Sequence, residues 1–190
     1  MRTTRLVLLA SLLVAMIFAA GQALAGIPNV ELVTALAFVS GYLLGPALGA
    51  VVGAAGMGAH SLFNVMGTVA PPVWLSQVGS FALIGSAGGI VGPFLARVRG
   101  RARAAVLSAL TGAVLVLIYQ LAVNIVAFYT FASDVDVWVY VWGGVAFGAV
   151  QVAWNVVVFG AAMPPMLRVL ARYRRELRPL ATTTERETGR

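Results

Sequence analysis

A chain of 190 residues that is 61% hydrophobic and only 10% charged, with a mean hydropathy of +0.94, carries too little charge to give each helix a water-facing side. The net charge of +7 comes from 13 basic residues, all arginine, gathered at three places rather than spread over a surface, which argues for a topology signal and against nucleic acid; the absence of cysteine excludes disulfides, thiolate nucleophiles and Cys-ligated metals. From Leu32 to Ala96 not one Asp, Glu, Lys or Arg occurs, and since a charge at a bilayer centre costs roughly 2.5–3.5 kcal/mol, the solvent for this stretch is lipid.

Taken in chain order, charge, Pro and Gly punctuation divides the sequence into six candidate spanning helices near 6–26, 31–45, 46–67, 73–96, 104–130 and 137–162. The first follows Arg2 and Arg5 and ends near Ala23-Leu24-Ala25, so a cleaved signal peptide and a retained first helix are both open on the residues alone. The second is short for a crossing and requires tilt or shelter by other helices. In the third and fourth, Gly45, Gly49 and Gly53, Gly85 with Gly89, and Gly88 with Gly92 recur every four residues, the spacing that lets helix backbones approach closely.

Six crossings bring both termini to the cytoplasmic side together with Arg97, Arg99, Arg101 and Arg103, while Glu31, Asp134 and Asp136 fall in outer loops. The expected architecture is an all-α membrane protein with both ends inside, in a bacterial or archaeal cytoplasmic membrane. Residues 1–165 form the spanning domain. After Pro164-Pro165, Leu167, Leu170, Tyr173 and Leu177 recur at helical spacing among arginines, which predicts a juxtamembrane amphipathic helix over 166–180. The Thr-rich end, 181–190, reads as a disordered tail.

Catalytic chemistry finds little support. His60 and Ser61 are adjacent on one helix and point about 100° apart, a poor dyad. One His, no Cys and no spaced acid cluster give no metal site, and without a Lys there is no Walker-type phosphate loop. With the three acids placed at the outer edge, a proton-coupled carrier is not expected either. No cofactor is implied.

What remains is a set of uncharged polar and aromatic groups toward the outer half. Asn29 and Glu31 lie in the first outer loop, Asn64 at the end of helix three, and Trp74 and Gln77 at the start of helix four. Gln120 and Asn124 share a face of helix five with Phe128 a turn beyond, and Trp138 and Trp142 share a face of helix six. Converging from several helices, these would wall a small-molecule pocket; the competing readings are interfacial belt residues for the aromatics and interhelical hydrogen bonds for the amides. His60 reads as a packed histidine, and Gln151 and Asn155, toward the cytoplasmic end of helix six, as structural.

The segment 27–54, with its outer P-N-V-E loop, a short helix ending S-G-Y-L-L-G-P and a Gly/Ala-rich third helix, resembles the substrate-binding S components of energy-coupling factor (ECF) vitamin transporters. That resemblance implies binding of a vitamin or precursor at the outer face and release inward, driven by a transmembrane coupling subunit and two ATPases. It also implies that Ala15 and Ala19, a small-x-x-x-small pair in helix one, pack against the coupling subunit, and that Pro28, Asn29, Val30 and Glu31 gate the pocket. The pocket itself falls to Asn64, Gln77, Gln120, Asn124, Phe128, Trp138 and Trp142 by position. A second architecture with six helices, the rod-shape-determining membrane protein, offers a contrasting expectation of a scaffold that binds partner proteins and needs no pocket.

Overall fold

The computed structural model describes the backbone of residues 2–65 and 67–188 and the side chains of residues 4–65 and 67–177. The chain is all-helical, in the order α1 (Arg2–Leu24), α2 (Val33–Leu44), α3 (Pro46–Leu62), α4 (Pro71–Arg97), α5 (Arg101–Phe131), α6 (Val137–Ala161) and α7 (Met163–Thr188). Four of these, α1, α4, α5 and α6, are long and apolar enough to cross a membrane, whereas α2, with 12 residues, and α3, with 17, are shorter than a full crossing. The surface agrees with lipid as solvent: Leu8, Leu83, Ile90 and Val157 are exposed while Thr34, Ser40, Ser80, Ser108 and Asn155 are buried. Such an architecture is compatible with a multi-pass membrane protein.

Glycine backbones form the centre of the bundle. A Cβ added to Gly41 would stand 1.7 Å from the Gly85 carbonyl oxygen, and one on Gly85 2.0 Å from that of Gly49, so α2, α3 and α4 touch main chain to main chain. Lipid provides no hydrophobic drive between helices, and this closeness supplies van der Waals contact in its place. Gly45 has a different task. At φ 93° it makes the α2–α3 turn, its N–H closing on the Gly41 carbonyl, with Pro46 opening α3. Helix α3 stops at Leu62, earlier than the spacing predicts, because Phe63 leaves helical geometry and Gly67 takes φ 110° ahead of the Pro71-Pro72 start of α4.

The first segment packs as a bundle helix. Ile17 is fully buried in a notch at Gly56, and Gly21 leaves room for the His60 ring. Ala15 and Ala19 face outward and are exposed.

Helix α7 lays its apolar face on the bundle itself. Met163 and Leu167 are fully buried, Leu170 and Leu177 pack against the core, and the Tyr42 hydroxyl donates to the Leu167 carbonyl at 2.9 Å. The reason lies in the short α2. Its turn at Gly45 packs against Gly89, about 12 Å inside Arg97 at a rise of 1.5 Å per residue, which leaves a hollow at the arginine-rich end for α7 to fill. Its side chains beyond residue 177, and with them the expected tail over 181–190, lie outside the described residues.

Depth follows from the same arithmetic. Phe38 is a common level, since Gly88 abuts its carbonyl and the Phe159 ring meets its ring edge-on at 5.4 Å. From there Arg97 lies about 14 Å toward one end and Pro71 about 25 Å toward the other, but Glu31 only about 10 Å in that second direction. The connection between α1 and α2 therefore re-enters the bundle, and Glu31 is not at the outer edge as the sequence predicts.

Candidate ligand-binding site

The re-entrant connection 25–32 is tied to α6 at three points. Asn29, in left-handed geometry at φ 63°, donates its amide to the Phe147 carbonyl at 3.1 Å. The Trp154 indole donates to the Glu31 carbonyl at 2.8 Å, and the Asn155 amide donates to Glu31 Oε1 at 2.7 Å. The other carboxylate oxygen, Oε2, accepts from the Thr34 backbone N–H at 2.8 Å and so satisfies one of the free donors at the start of α2.

Between this strap and the helices lies a cavity of about 270 Å³. Its polar lining comes from five elements: Asn29 and Glu31 of the strap, His60, Ser61 and Asn64 at the end of α3, Gln77 of α4, Tyr119 of α5 and Gln151 of α6. Phe81 and Tyr119, ring centres 5.5 Å apart and nearly perpendicular, form an aromatic corner, and Met57 and Val33 complete the apolar part. Ser61 donates to Gln77 Oε1 at 2.7 Å and not to the neighbouring His60. The Asn64 amide stands 3.4 Å from His60 Nε2, while His60 Nδ1 and Gln22 Oε1, both buried beside the cavity, have no protein partner among the described residues. Among the described residues no three His, Cys, Asp or Glu side chains come together as a metal site would require. The arrangement suits a small organic ligand: an aromatic corner, amides from several helices and one carboxylate around a single concavity.

Of the residues the sequence singled out, Asn29, Glu31, Asn64 and Gln77 are brought together here. The others are not. Gln120 fills a notch at Gly148 and donates to Gln151 Oε1, so it touches the cavity only through its neighbour, and Asn124 fills the matching notch at Gly144. Phe128 is buried against Tyr140 at 5.7 Å in the α5–α6 hairpin, and Trp138 and Trp142 are two-thirds exposed on its outside. Val137, where α6 begins, lies about 27 Å along the helix from Asn155, which places these aromatics well beyond Glu31. Asp136 caps that helix, its Oδ1 accepting from the Trp138 and Val139 N–H groups.

Gln151 and Tyr119 line the cavity, and Trp154 and Asn155 hold its strap through Glu31, placements the sequence does not indicate. The indirect signal was the length of α2. A helix of 12 residues covers about 18 Å, too little to bring its first residue to the rim of a bilayer, so whatever precedes it must lie inside the bundle.

Comparison with protein-family models, with curated proteins and with solved structures finds no match to this chain.

Proposed function

We propose that this chain is the substrate-binding membrane subunit, or S component, of an ECF-type importer, and that it captures a vitamin or vitamin precursor in the cavity beneath the 25–32 strap. On this reading it makes six crossings with both termini in the cytoplasm, α2 and α3 being short crossings sheltered by α1, α4 and α7. The observation that carries the reading is the cavity itself: polar groups from four helices converge under a strap that re-enters the bundle from the end opposite the arginines, where a ligand from outside would enter. A scaffold needs no such cleft. At about 270 Å³ it stands just under the roughly 300–1,000 Å³ of drug-sized ligand sites, which favours a compact ligand of one or two rings over one as large as cobalamin.

Energy must then come from elsewhere, because the chain has no phosphate-binding loop and no lysine. The exposed pair Ala15 and Ala19 offers the close helix approach that a coupling subunit would use. Uptake tests the reading. Cells expressing the chain with a coupling subunit and its two ATPases should accumulate one labelled vitamin from a panel, and cells expressing the chain alone should not. Accumulation of none, with all four subunits present in the membrane, contradicts it.

A further inference from the structure

At the arginine-rich end a cleft of about 290 Å³ opens between α2, α4 and α7, lined by Arg97, Arg174 and Arg175 with Tyr42, Pro93 and Ala171. It is separate from the ligand cavity and has no part in the proposed uptake. Arg174 is held in place: its Nε donates to the Tyr42 carbonyl at 2.7 Å and its guanidinium lies 5.3 Å from the centre of the Tyr42 ring. Arg97 and Arg175 are exposed beside it. The one acid at this end with a described side chain, Glu176, does not line the cleft. The two exposed guanidiniums of Arg97 and Arg175 face one concavity whose lining, among the described residues, holds no carboxylate, which calls for an anion with several acceptor oxygens.

The adjoining surface says which kind of anion. Phe94 and Ile90 precede Arg97 by about one and two turns on the same face of α4, and both are largely exposed, at 59% and 67%. A phosphate seated among the arginines would thus have an apolar track leading from it along the helix, toward the bilayer interior. We infer that this cleft binds the headgroup phosphate of an anionic phospholipid, with an acyl chain lying along Phe94 and Ile90. Since α7 forms one wall, the bound lipid clamps α7 onto α2 and α4. The inference rests on the lipid-facing surface of the bundle and is independent of the cargo.

The test is thermal unfolding of the full chain in a neutral detergent, titrated with dioleoyl phosphatidylglycerol, with dioleoyl phosphatidylcholine, or with sn-glycerol 1-phosphate. Phosphatidylglycerol should raise the midpoint saturably and the other two should not. Replacing both exposed guanidiniums, in Arg97→Gln/Arg175→Gln, should weaken the lipid about 30-fold at the usual contribution of a basic residue near an anionic surface. Arg99→Gln/Arg103→Gln, which removes the same charge outside the cleft, should leave affinity within about twofold. Ala171→Glu, which plants a carboxylate in the cleft and keeps every arginine, should also abolish the response. Equal weakening by both double variants would mean unspecific attraction to the arginine-rich face, and an equal response to glycerol phosphate would mean a free-anion site; either overturns the inference, as does normal lipid binding by Ala171→Glu.

Discussion

Asn155 of α6 donates its side-chain amide to the Glu31 carboxylate at 2.7 Å, joining residues 124 positions apart in the chain. Asn155 has no exposed surface, and no Lys or Arg occurs between Arg5 and Arg97 to neutralise the carboxylate from the helices around it. A partly buried charge held by neutral donors depends on every one of them. Asn155→Leu should therefore cost roughly 1.5–3 kcal/mol, the usual worth of a hydrogen bond to a charged group. Glu31→Gln should cost less, because a neutral amide is cheaper to leave half-paired. Unfolding of both variants in detergent checks the order; an equal or larger loss for Glu31→Gln would show that the carboxylate charge is compensated by some other group.

The strap is also the roof of the cavity, so loosening it should expose what it covers. Hydrogen exchange over residues 25–32 should accelerate in Asn155→Leu while α4, packed on Gly41 and Gly49, stays protected. Uniform acceleration across both would mean global unfolding rather than release of the strap.

Glycine positions separate packing from composition. Gly85→Ala would drive a Cβ to 2.0 Å from the Gly49 carbonyl oxygen, where only main-chain movement relieves the clash, and should cost at least the roughly 1–3 kcal/mol of an overpacked core. Gly143→Ala meets nothing within 4 Å and should stabilise α6 by about 0.5–1 kcal/mol through helix propensity alone. Paired melting curves test this directly, and similar behaviour of the two variants would contradict the main-chain contact of α3 with α4.

The position of α7 makes a parallel prediction. Leu167 is fully buried beneath Tyr42, so Leu167→Ala should lose about 2–5 kcal/mol as a core truncation does. A helix lying flat on the bilayer surface would lose far less stability. Tyr173→Ala, on the exposed side of the same helix, is the reference and should stay within about 0.5 kcal/mol.

Ligand binding should follow the cavity and not the list of aromatic residues. Gln77→Ala and Gln151→Ala should each weaken a bound ligand about fivefold or more, the worth of one hydrogen bond. Trp138→Ala and Trp142→Ala, far out on the α5–α6 hairpin, should leave affinity unchanged. Loss of binding in the tryptophan variants alone would move the site to the hairpin.

Helix existence was legible because charge and Pro/Gly punctuation is coarse and strong: the spans expected near 73–96, 104–130 and 137–162 correspond to α4, α5 and α6 within a few residues. Close packing at Gly49, Gly53, Gly85 and Gly88 was legible for the same reason, since small residues at every fourth position form a face. Depth was not legible. In the sequence Glu31 reads as an outer-loop acid and Gln151 and Asn155 as residues deep in helix six toward the cytoplasm, so nothing there brings the three together. Two short helices joined by a turn at Gly45 do not advertise how far inside the bundle the turn sits; only their contacts with α4 fix it. Gln120 and Asn124, for which both a pocket and interhelical hydrogen bonds are open on the sequence, pack between α5 and α6. Their i, i+4 spacing identifies a shared face, but the notches at Gly148 and Gly144 that receive them belong to another helix.

The central claim, that the cavity under the strap holds a vitamin or precursor, is tested most directly by a thermal-shift screen of the folded, detergent-solubilised chain against water-soluble vitamins and their precursors. A ligand at 100 times its dissociation constant adds about 2.7 kcal/mol to stability, enough to stand out from compounds that do not bind. The account predicts a rise with one compound or one close chemical series, reduced in Gln77→Ala and in Gln151→Ala and kept in full in Trp138→Ala. Protein shown to be folded that responds to no compound, or a response undiminished by either glutamine replacement, would contradict it.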